Sequence, residues 1–313
     1  MTVTISAESA RATGIEFHKV TANIGAEVRG VDISQELGSS TVAALRAGLN
    51  QYKALVFRNV CLDDAAQERF AASFGALTTA HPTVPSVEGA PNVLPVDSDT
   101  SVANHWHTDV TFVLNPPQLS TLRSVVLPPY GGETLIANAG AAYRALPEAL
   151  RELADRLWAT HTNLYDYAAA AAANLGDPET DEYRQQFVSI EYETAHPVVR
   201  VHPVTAERGL FIGGFARSIV GLSTDEGRDI LRILQSYVTR PEHILRWNWS
   251  PNELVLFDNR ITQHYAIDNY DRLARKLRRV TVAGDVPVGV EGNTSYSIKG
   301  NASHYTRAAE AAA

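Results

Sequence analysis

A short polar run and a distant histidine restrict how this chain can fold. The run is Asn104-His105-Trp106-His107-Thr108-Asp109, and the histidine is His264, in the second half of the chain. On an extended strand, side chains alternate between the two faces, so His107 and Asp109 point the same way and can share one metal ion. His264 would complete the ligand set. The fold must therefore bring two segments that are distant in sequence into contact.

The types of these three side chains indicate which metal they would bind. Two imidazoles and one carboxylate on one face of a metal ion leave its other face open, which is the arrangement of non-haem Fe(II) oxygenases. The spacing does not decide the first ligand, because His105 shares the strand parity of His107 and Asp109. A His-x-Asp triplet also arises by chance in proteins that bind no metal. Two further elements support a site: the Gly131-Gly132-Glu133-Thr134 turn after Asp109 and an arginine pair after His264.

Arg275 and Arg279 form this pair, in a basic stretch with the pattern of a strand. A guanidinium group forms paired hydrogen bonds with a carboxylate and stays charged at all working pH values, so it suits a fixed dicarboxylate ligand. Strand alternation would place four side chains on one face: Leu273, Arg275, Leu277 and Arg279. The alternative is a solvated basic surface, and the better candidates for ordinary exposed charge are Arg272, Lys276 and Arg278.

These motifs resemble those of the taurine dioxygenase family of Fe(II)- and 2-oxoglutarate-dependent oxygenases, from about Phe17 to Glu291. The family pattern Trp-His-Thr-Asp-Val-Thr-Phe stands at Trp106–Phe112, and the pattern Asp-Asn-Arg-x-Thr-Gln-His stands at Asp258–His264. The resemblance implies three metal ligands: His107, Asp109 and His264. By the same pattern, His105 is a neighbour of the site and not a ligand.

The resemblance also implies a cosubstrate site. Arg275 falls on the arginine that binds the far carboxylate of 2-oxoglutarate, assisted by Thr134, and Arg279 falls on a second arginine near the iron. The expected cofactors are Fe(II), 2-oxoglutarate and O2. Asp109 favours hydroxylation over halogenation, because related halogenases replace this carboxylate with a small residue.

Three further segments resemble the alkylsulfatase branch of the family: His81–Pro85, Tyr165–Tyr167 and His196–Pro203. In that branch the histidine matching His81 and the arginine matching Arg279 contact the sulfur oxyanion, and both side chains are suitable donors. Val110 is a further candidate on the substrate side. The alternative for His81 is a structural histidine at the start of a loop.

The resemblance implies hydroxylation of the carbon next to a sulfate ester, which gives an aldehyde, sulfate, succinate and CO2. The alternative is a taurine or alkanesulfonate dioxygenase, or another hydroxylase or tailoring oxygenase of the family. Taurine-specific members have an asparagine where this chain has Ala103, which weakens the taurine assignment. A noncatalytic cupin-like binding protein is a third hypothesis. Thr134 and Arg275 argue against it, because a binding protein needs no cosubstrate site.

Composition agrees with a cytoplasmic enzyme, and the family resemblance implies a small anionic organic substrate, an alkyl sulfate or a sulfonate. The net charge of −8 and the pI near 5.7 disfavour nonspecific binding to nucleic acid, which needs a basic surface. Cys61 is the single cysteine, so the chain has no internal disulfide and no thiolate metal site. No apolar run reaches membrane-spanning length, and the N-terminus lacks the features of a secretion signal. We expect no membrane partner, and a homo-oligomer.

The pattern of short strands with inserted helices predicts a mainly β fold. Its alternation is typical of a jelly-roll barrel of the cupin type, and the family resemblance implies the same double-stranded β-helix. The predicted helices lie around Val42–Tyr52, Asp64–Phe74, Ala139–Trp158 with a break near Pro147, and Ser223–Val238 with a capping box at Ser223 and Glu226.

A single domain is predicted at 17–291, between a flexible N-terminal tail at 1–16 and a C-terminal tail at 292–313. Within the domain, residues 165–183 break the pattern with a run of alanines. We interpret this segment as a lid that closes over the site and excludes water. A short surface helix is the alternative, because alanine has a high helix propensity.

Overall fold

The computed structural model describes residues 14–99, 103–164, 182 and 185–306. Strands make up more of its regular structure than helices, and the helices are inserted between strands, as the sequence predicts. Within these residues, no helix combines the length and the apolar character needed to cross a membrane. The lid predicted at 165–183 falls outside the described residues, apart from Glu182.

The strands of the described residues are, in chain order, β1 (Glu16–Lys19), β2 (Ala26–Arg29), β3 (Ala54–Phe57), β4 (Val93–Asp97), β5 (Leu119–Val126), β6 (Thr134–Asn138), β7 (Trp158–Thr162), β8 (Glu193–Pro197), β9 (Val199–Val201), β10 (Arg208–Leu210), β11 (Ala216–Ile219), β12 (Ile244–Trp247), β13 (Leu254–Asp258), β14 (Thr262–Ala266), β15 (Lys276–Val282) and β16 (Tyr296–Lys299). The helices are Ser39–Tyr52, Asp64–Ala72, Ala139–Arg144, Glu148–Arg156, Thr224–Val238 and Ser303–Thr306, with a 3-10 turn at Pro241–His243.

Seven strands form the largest sheet, in the order β1-β2-β3-β13-β5-β15-β4. Neighbouring strands in it are antiparallel except β2 and β3, which are parallel. The helices Ser39–Tyr52 and Asp64–Ala72 cover one face. The apolar side chains that join these helices to the sheet include Leu45, Leu49, Phe70, Leu254, Leu256 and Val280. Because side chains alternate along a strand, Val255 and Phe257 of β13 point to the opposite face.

A three-stranded sheet, β12-β6-β14, lies against that opposite face. Val255 and Phe257 share one buried cluster with Ile136 of β6 and Leu245 of β12. Strand β13 is therefore buried on both faces, which explains its uninterrupted apolar sequence. Four of the predicted site residues lie on strands of these two sheets or at their ends: Thr134 begins β6, His264 lies in β14, Arg275 precedes β15 and Arg279 lies in β15.

Two smaller sheets complete the described part of the fold. One has the order β11-β7-β8-β16, and the other pairs β9 with β10. The helix Thr224–Val238 packs on β11 through a second apolar cluster that contains Ile219, Leu234 and Val238.

The predicted helices are observed, and two of them end earlier than predicted. The helix predicted at Asp64–Phe74 ends at Ala72. The capping box is present, because the Glu226 N–H donates to Ser223 Oγ and the Ser223 N–H donates to the Glu226 carboxylate at 3.0 Å. Pro147 separates two helices, as predicted. The second of them ends at Arg156 and does not continue to Trp158, since Leu157 has extended backbone angles and Trp158 begins β7.

Both predicted tails are wrong at their inner boundaries. Ile15 is only 4% exposed and packs in the core of the large sheet, and β1 begins at Glu16. At the other end, β16 pairs with β8, and Tyr305 is completely buried. The folded region thus includes residues 292–306. The remaining predicted tail residues, 1–13 and 307–313, lie outside the described ranges.

Candidate active site

His107 and His264 lie opposite each other in an antiparallel bridge. The N–H of His107 donates to the carbonyl of His264 at 3.0 Å, and the N–H of His264 donates to the carbonyl of His107 at 2.7 Å. Their imidazole ring centroids are 4.1 Å apart. Strand β14, which carries His264, therefore supplies the remote contact that the sequence requires.

Asp109 reaches the two histidines from a turn, so the predicted extended strand is wrong beyond His107. The turn continues into Val110, whose φ of 52° is rare for a β-branched residue. Asp109 Oδ1 lies 3.7 Å from His264 Nε2, and one ligand atom from each of the three residues lies within 4.8 Å of the others. His107, Asp109 and His264 thus form one buried cluster, and His105 is not part of it.

The protonation states of this cluster suit a divalent metal ion. Burial and the neighbouring His264 lower the pKa of His107 to about 3, and burial lowers the pKa of His264. Burial alone would raise the pKa of Asp109, but Arg279 and the two histidines outweigh it and hold that pKa well below its usual range. His107 Nδ1 donates to the carbonyl of His105 at 2.7 Å, so Nε2 is the ring nitrogen that could bind a metal. Neutral imidazoles and an ionised carboxylate need lose no proton to bind metal.

Asp109 is held from two sides. The Ser120 hydroxyl on β5 donates to Asp109 Oδ2, and Asn259 Nδ2 donates to Ser120 Oγ at 2.6 Å. On the other side, Arg279 Nη1 donates to Asp109 Oδ1. Sequence reasoning missed Ser120 and Asn259 as supporting residues. Asn259 lies in the Asp258–His264 motif, so the motif could have indicated its supporting role. No pattern in the sequence around Ser120 indicates such a role.

A cavity lies next to the histidines, between β4, β5 and β15 of the large sheet and β6 and β14 of the small one. Its walls are formed by Leu94, Pro95, Val96, Ala103, His107, Leu122, Thr134, His264, Ala266, Arg275, Leu277 and Arg279. Most of these side chains are apolar. The charged groups among the lining residues are Arg275 and Arg279. A ligand in this cavity would therefore contact two guanidinium groups surrounded by mostly apolar side chains.

Arg275 and Thr134 meet at this cavity, as predicted. Arg275 Nη2 lies 3.2 Å from Thr134 Oγ1, and its Nε donates to the carbonyl of Gly132 at 2.8 Å. Trp249 Nε1 also donates to Thr134 Oγ1, at 2.9 Å. Gly132 has a φ of +70°, and a Cβ there would lie 3.0 Å from Arg275 Cδ. The glycine turn before β6 is thus needed for the close approach of the guanidinium group.

The alternation predicted for the basic stretch is confirmed for three of its four residues. Arg275, Leu277 and Arg279 all line the cavity. Lys276 and Arg278 point away from it and pair with Asp99 at 3.1 Å and Asp97 at 2.7 Å. The prediction is wrong for Leu273, which is 37% exposed because it lies in the turn before β15.

Comparison with known proteins shows the family of this chain. Residues 16–281 match the family described as "Taurine catabolism dioxygenase TauD, TfdA family". The chain belongs to this family. It is 47% identical over 291 residues to an alpha-ketoglutarate-dependent sulfate ester dioxygenase from Pseudomonas putida, covering 92% of this chain and 96% of that protein.

Two further proteins are similar to this chain over a comparable share of its length. An alkylsulfatase from Acinetobacter baylyi is 43% identical over 280 residues, covering 89% of this chain and 88% of that protein. A crystal structure of a taurine dioxygenase from Burkholderia xenovorans superposes with a TM-score of 0.78 at 37% identity, covering 94% of this chain and 99% of that one. The similarity therefore extends over nearly the whole chain.

In this TauD, TfdA family protein, the predicted substrate contacts His81 and Val110 are not among the residues that line the cavity. His81 is buried, and its ring lies 4.9 Å from that of Phe187. Its Nδ1 accepts hydrogen bonds from the N–H groups of Thr83 and Val84, both at 3.2 Å. The proton of the neutral ring is therefore on Nε2. Burial and the charge of Arg279 hold the pKa of His81 well below its usual range.

Replacing Ser120 with alanine is expected to weaken metal binding by the TauD, TfdA family protein about tenfold. The change removes the donor that orients Asp109, and loss of such a supporting group typically costs roughly 10–100-fold in metal affinity. Calorimetric titration with Mn(II) would measure it. Ser124→Ala is the matched control, because the Ser124 hydroxyl lies on the same strand and contacts the carbonyls of Ser250 and Glu253. Equal affinities in the two variants would contradict a role for Ser120 in orienting Asp109.

Proposed function

We propose that this protein is an Fe(II)- and 2-oxoglutarate-dependent dioxygenase that hydroxylates the carbon next to a sulfate ester, giving an aldehyde, sulfate, succinate and CO2. The observation that carries the proposal is the buried cluster of His107, Asp109 and His264 beside a cavity lined by Arg275. The names of the Pseudomonas and Acinetobacter relatives support a sulfate ester as the substrate.

The donor set fits the cofactors of this reaction. His107, Asp109 and His264 would hold Fe(II), because two neutral imidazoles and a carboxylate match its preferred facial ligand set. Fe(II), when bound with 2-oxoglutarate, supplies the oxygen activation that C–H hydroxylation requires. Arg275 would bind the far carboxylate of 2-oxoglutarate. The Thr134 hydroxyl, which contacts the Arg275 guanidinium, would help to orient that guanidinium and the carboxylate.

The residues around the metal ligands keep Asp109 ionised and oriented and limit the water in the site. Arg279 stabilises the ionised form of Asp109, and Ser120 fixes the second oxygen of that carboxylate. Leu94, Leu122 and Leu277 line the cavity with apolar surface and so limit the water beside the ligands. Low local polarity strengthens each of these charge contacts relative to the same contacts in water.

Substrate binding is assigned to His81, Val110 and Arg279. The Nε2–H of neutral His81 and the guanidinium of Arg279 are donors suited to sulfate oxygens, and Val110 belongs to an apolar cluster with Phe112 and Phe215 that suits an alkyl chain. After hydroxylation, the bond between the hydroxylated carbon and the sulfate ester oxygen breaks. The hydroxyl oxygen becomes the aldehyde oxygen and its proton is released with sulfate.

The proposal extends to the architecture. The large and the three-stranded sheets face each other across the site, which supports the double-stranded β-helix, or jelly roll, expected for this family. The lid, the cytoplasmic location and the homo-oligomer stay predictions from the sequence.

The proposed activity is tested with purified protein, Fe(II), ascorbate, oxygen and 2-oxoglutarate. The substrates are medium-chain alkyl sulfates, taurine and alkanesulfonates, and succinate, sulfate and sulfite are assayed separately. We expect sulfate to be released in step with succinate from alkyl sulfates. Sulfite from taurine or alkanesulfonates, with none of the alkyl sulfates consumed, would replace the proposal by a sulfonate dioxygenase. Succinate formation that no compound stimulates would exclude both substrate classes.

A further inference from the structure

The C-terminal segment beyond the family match is folded against the site. The family match ends at residue 281, yet the chain continues into β16, which pairs with β8, and into the one-turn helix Ser303–Thr306. Tyr305 in this helix is completely buried. It packs in the same apolar cluster as Ala80, Val84, Leu94, Val110, Phe112 and Phe215. This cluster contains Val110, the neighbour of the metal ligand Asp109.

The segment makes two hydrogen bonds to the loop that carries His81. The N–H of Thr79 donates to the carbonyl of Tyr305 at 3.0 Å. On the other side of His81, the carbonyl of Pro82 accepts a hydrogen bond from His304 Nε2 at 2.9 Å. Both hydrogen bonds join the C-terminal helix to a loop that lies more than 200 residues earlier in the chain. The C-terminal helix thus holds the chain on both sides of His81.

The same segment also contacts the strand that carries Arg279. Tyr305 Oη lies 3.3 Å from Thr281 Oγ1, and Thr281 Oγ1 also contacts Thr78 Oγ1. Thr281 lies two residues after Arg279 on β15, so the two side chains share a face of the strand. Tyr305 therefore connects the backbone of the His81 loop to the Arg279 strand.

We infer that His304 and Tyr305 are positioning residues for the oxyanion group of the substrate, acting through His81 and Arg279. This inference rests on the proposed function. Two donors on separate elements bind one tetrahedral anion well only if their separation is fixed before binding, because ordering them on binding costs affinity. The contacts of the C-terminal helix fix that separation. None of these contacts is made to a metal ligand or to Arg275. Their loss should therefore change metal and 2-oxoglutarate binding less than it changes binding of the oxyanion.

His304→Ala and Tyr305→Phe test the inference. The first removes the donor to Pro82, from a side chain that is only partly buried, and the second removes one hydroxyl while keeping the ring. Matched controls are His18→Ala and Tyr296→Phe, at exposed positions away from the site. Full-length protein loaded with Mn(II) and 2-oxoglutarate is titrated with hexyl sulfate, and hydrogen exchange is followed for the amides of Thr83 and Val84.

We expect His304→Ala to weaken hexyl sulfate binding about fivefold, as for the loss of one hydrogen bond. Amide exchange of Thr83 and Val84 should accelerate, while the affinities for Mn(II) and 2-oxoglutarate stay within about twofold of the native values. Tyr305→Phe should act in the same direction. Hexyl sulfate affinities and exchange rates equal to the native values in both variants would overturn the inference. A native protein that binds no alkyl sulfate would instead overturn the proposed function.

Discussion

Replacing His107 with alanine is expected to abolish Fe(II)-dependent turnover of 2-oxoglutarate. The variant keeps only two of the three ligands in the buried cluster, and its Fe(II) affinity should fall by more than about a hundredfold, since even supporting groups contribute roughly 10–100-fold. The same result is expected for Asp109→Ala and His264→Ala. Anaerobic titration with Fe(II) would measure the affinity, and succinate formation would measure the turnover.

The matched control for this loss is His105→Ala. His105 has the strand parity of His107, but its contribution to the cluster is the backbone carbonyl that accepts from His107 Nδ1. Its side chain can therefore be removed without loss of a metal ligand. Iron binding that survives in His107→Ala but fails in His105→Ala would reverse the assignment of the first ligand.

Replacing Arg275 with alanine should raise the 2-oxoglutarate concentration needed for half-maximal turnover about a hundredfold. Arg275 is 3% exposed, and a charge-assisted pair of hydrogen bonds to a carboxylate contributes about 3 kcal/mol. Fe(II) affinity should not change, because Arg275 contacts Gly132 and Thr134 and not the metal ligands. Steady-state kinetics against 2-oxoglutarate, together with Fe(II) titration, would separate the two effects.

Arg278→Ala is the matched control for Arg275→Ala. Arg278 lies three residues later, in β15, but it faces away from the cavity and pairs with Asp97. We expect it to leave the 2-oxoglutarate requirement unchanged. Arg275→Lys should give an intermediate value, because lysine keeps the charge but loses the planar paired donors. A requirement that rises equally in the Arg275→Ala and Arg278→Ala variants would contradict a specific carboxylate site at Arg275.

Several local features of the fold were predictable because they depend on short-range pattern. The capping box at Ser223 and the helix break at Pro147 both follow from residues that are neighbours in sequence. The common face of Arg275 and Arg279 follows from the period of two residues in a strand. Leu273 fails this rule, since the alternation holds only where the chain is already extended.

The route by which Asp109 joins the cluster was not predictable from the spacing. Alternation along one strand would have placed it beside His107, whereas the chain turns at Asp109 and Val110 adopts a positive φ. The predicted cluster of His107, Asp109 and His264 is present, but the geometry that brings Asp109 into it differs from the prediction. A turn of this kind depends on contacts with β5 and β15, which lie far away in sequence.

The sequence by itself determined which side chains are the candidates for the chemistry: two histidines, an aspartate, a threonine and two arginines, recognisable by type and order. The tertiary structure decided how they meet. The bridge between His107 and His264, the support of Asp109 by Ser120 and the burial of Tyr305 each join residues from distant parts of the chain. Local periodicity reports only the direction of a side chain within its own element, whereas such contacts depend on the packing of whole sheets against each other.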